Sequence, residues 1–381
     1  MKILHLSDLH LGKRVNGFSM LDDQKYILNQ ILDITYEQKL QAVVIAGDVY
    51  DKSVPSAEAV ELLDEFLCKL ATRDWQVFVV SGNHDSAERL AFASRLIENS
   101  GVHIARVYDG NVQPVTLNDE YGPVHFYMMP FVKPIHVKTC FPDEVVDSYT
   151  DALTVAVKQM KVQEAERNIL VAHQFVTGTK GVDGIARSES EDVSVGGLDN
   201  VDASAFAPFD YVALGHIHGP QFIDGHKHIR YCGTPLKYSF SEANHEKSIT
   251  IVEMGRKGDL DISTIPLNPL HDMRKIRGTY EELVDRKNYI GTPVEDYLHV
   301  TLTNEQDVID AIGKLRTIYP NIMQLEYDNA RTRAMVNPIT AANVEKLPGE
   351  LFAEFFQQTN GCEMSGEQKE FMNNIINKIW K

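Results

Sequence analysis

Cysteine is scarce in this chain of 381 residues. Its four cysteines, Cys68, Cys140, Cys232 and Cys362, form no close pair. That spacing excludes a disulfide framework and a thiolate zinc site, and it points to a reducing, cytoplasmic setting. Long apolar runs are missing too. No stretch approaches the roughly 20 apolar residues that span a bilayer. Met1 and Lys2 lead directly into a short apolar run that ends in charge, unlike a secretory leader, so a soluble chain without a membrane partner is expected. Internal repeats and low-complexity segments are absent, which removes solenoids and disordered tracts from consideration.

Positive charge is the third shortage. Lysine and arginine total 37 against 54 aspartates and glutamates, a net charge of -17. Such a chain does not coat nucleic acid unaided, because phosphate contacts draw on a Lys/Arg surplus. Any activity on DNA must concentrate cations locally, through metal ions and residues such as Lys13, Arg14, Lys52, Arg89 and Lys237, with a partner supplying much of the affinity. A phosphate-binding G-x-x-x-x-G-K-[ST] loop is also lacking. Gly12-Lys13 and Gly313-Lys314 have neither the upstream Gly nor the following Ser or Thr, so no ATP site is expected.

What remains is an ordinary globular composition, 43% hydrophobic and 24% charged, in a chain long enough for a large domain and a smaller one. Lys2–Leu6, Ala42–Ala46, Val77–Val80, Ile169–Ala172 and Tyr211–Leu214 are nearly continuous in β-branched and aliphatic residues, the mark of strands buried on both faces. Helical spacing runs from Leu21 to Leu40 and from Ala57 to Leu70. Strand and helix alternate, so an α/β fold is predicted. Short alternating runs from Arg230 to Ile265 suggest further strands, and Leu267-Asn268-Pro269 reads as a domain edge.

Residues 1–268 therefore form the predicted main domain. A compact α+β domain over 269–336 follows, with strands at Met273–Arg277, Tyr297–Thr303 and Ile322–Tyr327, a short helix after the first and a helix over Glu305–Ile318. Residues 337–381 predict two amphipathic helices. One carries Leu351, Phe352, Phe355 and Phe356. The other, opened by a Ser365 to Gln368 capping box, carries Phe371, Met372, Ile375, Ile376, Ile379 and Trp380.

Polar residues collect beyond the carboxyl end of every one of the five buried strands: Asp8 and His10, Asp48, Asn83 and His84, His173, then His216 and His218. Ligands bind at that edge of open α/β sheets, so one shared site is implied. Each of the first three blocks alone is no more than a strand-end turn, since Gly, Asn and Asp suit left-handed backbone, and a lone His173 is an ordinary core histidine. His216-Ile217-His218 is a stronger signal, because alternate residues of an extended segment point to one side and can grip one ion. Together they supply carboxylate, imidazole and amide donors for two ions. Without thiolate, that set suits Mn²⁺, Fe²⁺ or Zn²⁺. Asp48 is the natural bridge between two metals, His84 is placed to protonate or stabilise a leaving oxygen, and Asp85 to orient the His84 ring. His226-Lys227-His228 has the spacing of the earlier pair but no other donor type nearby, and reads as a solvated turn. His5, inside a strand, reads as packing.

Asp8-Leu9-His10, Gly47-Asp48, Gly82-Asn83-His84-Asp85, His173 and Gly215-His216-Ile217-His218 resemble, in order, the D-x-H, G-D, G-N-H-D, H and G-H-x-H blocks of the calcineurin-like metallophosphoesterases. The resemblance implies a four-layer αββα sandwich of two mixed sheets, with a small α+β capping domain and C-terminal helices. It also implies one ion on Asp8, His10, Asp48 and His218, and a second on Asp48, Asn83, His173 and His216. Within the superfamily, Ile3 to Gly12, Ile45 to Asp51 and above all Tyr231 to Glu242 are similar to the SbcD family of nuclease subunits, across essentially the whole chain. That likeness implies a DNA nuclease preferring Mn²⁺, a capping domain, and an SbcC-type ATPase partner with a long coiled coil, two copies of each, docked by the C-terminal helices. Archaeal and eukaryotic relatives carry a histidine three residues after the bridging aspartate. Asp51 stands there, so that histidine's role does not transfer. The acidic charge favours the alternative, a small-molecule phosphodiesterase or nucleotide phosphatase of the same superfamily.

Overall fold

The computed structural model describes residues 1–191, 199–336 and 348–379, and the chain divides into two units, Met1–Asp272 and Met273–Lys381. Among the described residues no helix is long and apolar enough to cross a membrane.

Two six-stranded mixed sheets build the first unit. One orders its strands Leu260–Pro266, Ser248–Met254, Lys2–Leu6, Ala42–Ala46, Gln76–Val80, Val102–Ile104, and the other Gln221–Ile223, His226–Tyr231, Tyr211–Gly215, Arg167–His173, Gly122–Met129, Val115–Asp119. Alternation of side chains along each strand gives both faces something to bury. Ile3, Val44, Phe78 and Val80 of the first sheet meet Phe126, Ile169, Val171 and Ala213 of the second in one core, where the Phe78 and Phe126 rings stack at 4.3 Å. The opposite face of the second sheet, with Leu170, Val212 and Leu214, packs on Leu153, Ala156 and Val157 of the Tyr149–Met160 helix. On the outer face of the first sheet, Leu4, Val43, Ile45, Val77 and Val79 are buried, and the Ala57–Ala71 helix packs on the Gln76–Val80 strand and on the Leu21–Thr35 helix. The layers thus run helix, sheet, sheet, helix, the sandwich that the family resemblance implies.

Parallel pairing aligns the strand tips. Leu6 pairs with Ile45, Ala46 with Val80, and Gly215 with His173, so in each sheet the carboxyl ends finish level. Helix boundaries follow local chemistry: the Ser56 hydroxyl accepts from the Ala59 amide at 3.3 Å, and Ser148 with Asp151 forms a capping box. The first helical pattern, expected to reach Leu40, stops at Thr35, and Lys39 turns into the left-handed region at φ 51°.

In the second unit, strands Met273–Gly278, Tyr297–Leu302 and Ile322–Tyr327 form a parallel sheet around Leu298, Val300, Leu302, Leu315 and Ile322. The helix expected over Glu305–Ile318 is confined to Ala311–Leu315, because Asp310 just before it is left-handed at φ 51°. Helices Ala330–Val336, Pro348–Asn360 and Gly366–Ile379 complete the unit. The expected boundary at 337 and the expected apolar residue Trp380 lie outside the described residues.

Candidate metal centre

All eight residues singled out at the strand tips converge. Donor atoms of Asp8, His10 and His218, of Asp8, Asp48 and His173, and of His10, Asp48 and His84 lie within 4.8 Å of one another in each group. Asn83 joins them through its Oδ1, which lies 3.0 Å from both His173 Nε2 and His216 Nδ1. His226 and His228 stay away. They sit in the strand His226–Tyr231 with rings 5.8 Å apart, so this segment is a strand start rather than the turn expected. His5 packs as expected, with its Nδ1 2.8 Å from the Tyr211 hydroxyl.

The backbone is bent to bring these groups in. Asp8, His10, Asp48 and His216 have φ of 52°, 45°, 47° and 111°, a region that side-chain-bearing residues rarely occupy and that concentrates at functional sites. The loops hold one another there: the Asp8 amide donates to the Gly47 carbonyl and the His10 amide to the Asp48 carbonyl, each at 2.9 Å. The His216 amide donates to the Asp8 carboxylate at 3.0 Å.

Two glycines of the motifs exist because nothing larger fits. A Cβ at Gly82 would sit 2.1 Å from Asp48 Oδ1, and one at Gly215 would sit 1.9 Å from the Ala46 carbonyl oxygen, where the two sheets meet. Gly215→Ala is expected to cost about 1–3 kcal/mol through overpacking. A lowered unfolding midpoint in denaturant checks this, and an unchanged midpoint contradicts it.

Hydrogen bonding decides which ring nitrogens face inward. His173 Nδ1 donates to the Ala46 carbonyl at 2.9 Å, which turns Nε2 toward Asp48 Oδ2 at 3.4 Å and Asn83 Oδ1 at 3.0 Å. Burial works against a charge on His173, but the Asp48 carboxylate and its hydrogen bond outweigh it and raise the imidazole to about 9. Burial likewise opposes ionisation of Asp48, yet the charges of His173 and His10 and the His173 hydrogen bond hold it well below the carboxylate range. Asp8 is pushed up by burial, which the neighbouring histidines only partly offset. Burial lowers His10 and His216, the latter to about 3, so both rings are neutral donors.

The set fits divalent cations. His10 Nε2 and His218 Nε2 face each other at 3.2 Å, and His173 Nε2, Asn83 Oδ1 and Asp48 Oδ2 point at a common region. Acceptor atoms pressed together in a buried site need a proton or a metal between them. Neutral imidazole and ionised carboxylate are the forms that bind metal, so an ion held here would take the place of the proton that Asp48 favours on His173.

His84 stands at the rim with its Nδ1 donating to the Asp51 carbonyl at 3.1 Å and its Nε2 3.9 Å from Asp48 Oδ2. Asp85 does not orient that ring, contrary to expectation. Its carboxylate accepts from the amides of Gly82 at 2.9 Å, Tyr50 at 2.9 Å and Val49 at 3.1 Å, tying two motif loops together. A carboxylate on so short a side chain bonds the nearby backbone amides first.

Residues that sequence reasoning does not single out surround His218. Its Nδ1 lies 2.6 Å from Ser190 Oγ, its amide donates to Glu191 Oε1 at 2.8 Å, and its carbonyl accepts from Lys247 Nζ at 3.0 Å. Glu242 closes the group, bonded to Ser190 and, at 2.6 Å, to Lys247. Of these only Glu242 falls in a block the sequence marks, the run from Tyr231.

Comparison with known proteins agrees with this geometry. The calcineurin-like phosphoesterase family matches residues 1–220, and the type 5 capsule protein repressor C-terminal domain family matches residues 269–360. The chain belongs to the calcineurin-like phosphoesterase family, a class of hydrolases, and its buried donor set fits the divalent metals such enzymes use. The SbcD component of the nuclease SbcCD from Staphylococcus epidermidis is 36% identical over 329 residues, 85% of each chain, which places this protein with the SbcD nucleases. Among solved structures, a dimetal phosphatase from Danio rerio is similar at a TM-score of 0.40 and 11% identity, covering 71% of this chain and 98% of its own.

Proposed function

We propose that the protein is a two-metal DNA nuclease, exonucleolytic on double-stranded ends and endonucleolytic on hairpins or single strands, acting with an SbcC-type ATPase. Asp8, His10, Asp48 and His218 hold one ion, Asp48, Asn83, His173 and His216 the other, and Mn²⁺ is the preferred metal. The observation that carries this reading is the placement of Asp48, whose Oδ2 lies within 3.4 Å of His173 Nε2 and 3.7 Å of His10 Nε2, between the two groups of donors. Metal ions bound there supply Lewis-acid charge and a nucleophile from water near neutral pH.

The chain's own contribution is position and protons. Asp48 Oδ1 accepts from the His84 amide at 2.9 Å, so the residue between the two donor groups also fixes the residue beside the scissile bond. Because the Asp51 carbonyl accepts from His84 Nδ1, Nε2 is the ring atom that faces the leaving oxygen, to which it gives a proton when both ring nitrogens carry one. Lys13, paired with Asp51 at 2.7 Å, places a cation at the same rim, which an acidic chain needs if it is to approach a phosphodiester.

The likeness to a nuclease component supports DNA as substrate and an ATPase as partner, and the net charge of -17 favours small phosphodiesters instead. A hairpin-DNA assay with Mn²⁺, run with and without the partner, separates them. Cleavage that EDTA abolishes is expected. Hydrolysis of a chromogenic diester without cleavage of any DNA, even with the partner present, would overturn the nuclease reading.

A further inference from the structure

His218 is held by a chain of side chains whose hydrogen bonds can be assigned by elimination. Glu242 is fully buried, and its Oε2 accepts from the Lys247 ammonium at 2.6 Å. Lys247 also donates to Thr234 Oγ1 at 2.7 Å and to the His218 carbonyl at 3.0 Å, so all three of its protons are placed. Glu242 is therefore an ionised carboxylate that only accepts. Its Oε1 is in close contact with Ser190 Oγ, and two oxygens that close need a proton between them, which Ser190 alone can supply. With its proton so used, Ser190 Oγ has only lone pairs to offer its other neighbours. Ser188 Oγ, at 2.8 Å, donates to it, and so does His218 Nδ1 at 2.6 Å. The remaining lone pair of His218 lies on Nε2, the atom facing His10.

We infer that Ser190 and Glu242 are positioning residues, a carboxylate–hydroxyl–imidazole relay that fixes His218 in the tautomer with Nε2 free for metal. The inference rests on the metal-site reading above. Carboxylate and carbonyl acceptors commonly hold metal-binding histidines from behind, and losing one costs about 10- to 100-fold in metal affinity or activity. Here a serine hydroxyl stands between carboxylate and ring. The loop that bears it is tied down at both sides, Glu191 accepting the His218 amide and the Glu189 amide donating to Ser241 Oγ at 3.0 Å.

A purely structural role would confine Glu242 to neutralising Lys247. Ser190→Ala distinguishes the two, because it leaves the Glu242–Lys247 pair intact and Ser190 is only half-buried, in a loop. Mn²⁺ titration by calorimetry on the full chain is expected to show two ions in the wild type, with one weakened about 10-fold or more in Ser190→Ala and restored in Ser190→Thr. In the metal-free protein labelled with ¹⁵N at histidine, the His218 signal should read as Nδ1–H in the wild type and shift toward Nε2–H in Ser190→Ala. Two ions in the wild type with unchanged affinity and tautomer in Ser190→Ala would overturn the relay alone. A wild type that binds no ion, or a His218→Ala variant that keeps both at full affinity, would overturn the site reading and the relay with it.

Discussion

His84→Ala is expected to lower turnover by about 10²- to 10⁴-fold while both metal ions still bind, whereas Asp48→Ala is expected to lose metal and activity together. The difference follows from position. His84 points its Nε2 toward Asp48 from 3.9 Å and is tied by Nδ1 to a backbone carbonyl, so removing its ring takes away a proton donor and leaves the other donor groups intact. Asp48 sets one carboxylate oxygen 3.7 Å from His10 and 3.4 Å from His173, and its other oxygen pins the His84 amide. Without it, buried imidazoles face one another with less negative charge to offset a dication, and the catalytic histidine loses the acceptor of its amide. Calorimetric Mn²⁺ titration of both variants, with single-turnover kinetics, checks the pair. Loss of an ion in His84→Ala would mean that His84 is a ligand and not a proton donor.

The convergence of the site is legible in sequence because strands buried on both faces are nearly continuous in apolar residues, so the polar cluster that follows each marks its tip. Five tips with metal-donor types then point to one edge of the sheets. The glycines in the blocks carry the same information sterically, as Gly82 against Asp48 and Gly215 against Ala46 show. Other parts are not legible for identifiable reasons. Strands Val115–Asp119 and Gly122–Met129 escape because the outermost, half exposed, lacks a continuous apolar run, and because its neighbour mixes Gly, Pro, His and Tyr with its apolar residues. The Ser190–Glu242–Lys247 support of His218 joins positions 57 residues apart at its ends through side chains of the commonest polar types, and only the fold brings them to one ring. Asp51 acts on His84 through its backbone carbonyl, a role that no side-chain pattern encodes.

Introducing charge on the C-terminal helices is expected to abolish partner binding while leaving hydrolysis of a small chromogenic diester unchanged. The sequence offers Phe352, Phe355, Phe356, Ile375, Ile376 and Trp380 as the docking set. The structure sorts the described ones: Phe352, Phe356, Ile375 and Ile376 are half-buried, and the Pro348–Asn360 and Gly366–Ile379 helices pack on each other. Leu351, Phe355 and Phe371 are exposed by 51%, 54% and 65%. Large apolar side chains that stay exposed on amphipathic helices after their mutual packing are the kind of surface a partner helix covers. The coiled coil of an SbcC-type ATPase is the occupant that fits the proposed function, and it would bring the DNA affinity that a chain of net charge -17 lacks. Leu351→Glu with Phe371→Glu places charge at two exposed positions and leaves the half-buried residues unsubstituted, so a folded protein that no longer co-purifies with the ATPase is the expected result. Deleting residues after 337 should do the same. If either variant binds the partner with unchanged affinity, these helices serve their own unit only, and the ATPase must dock elsewhere.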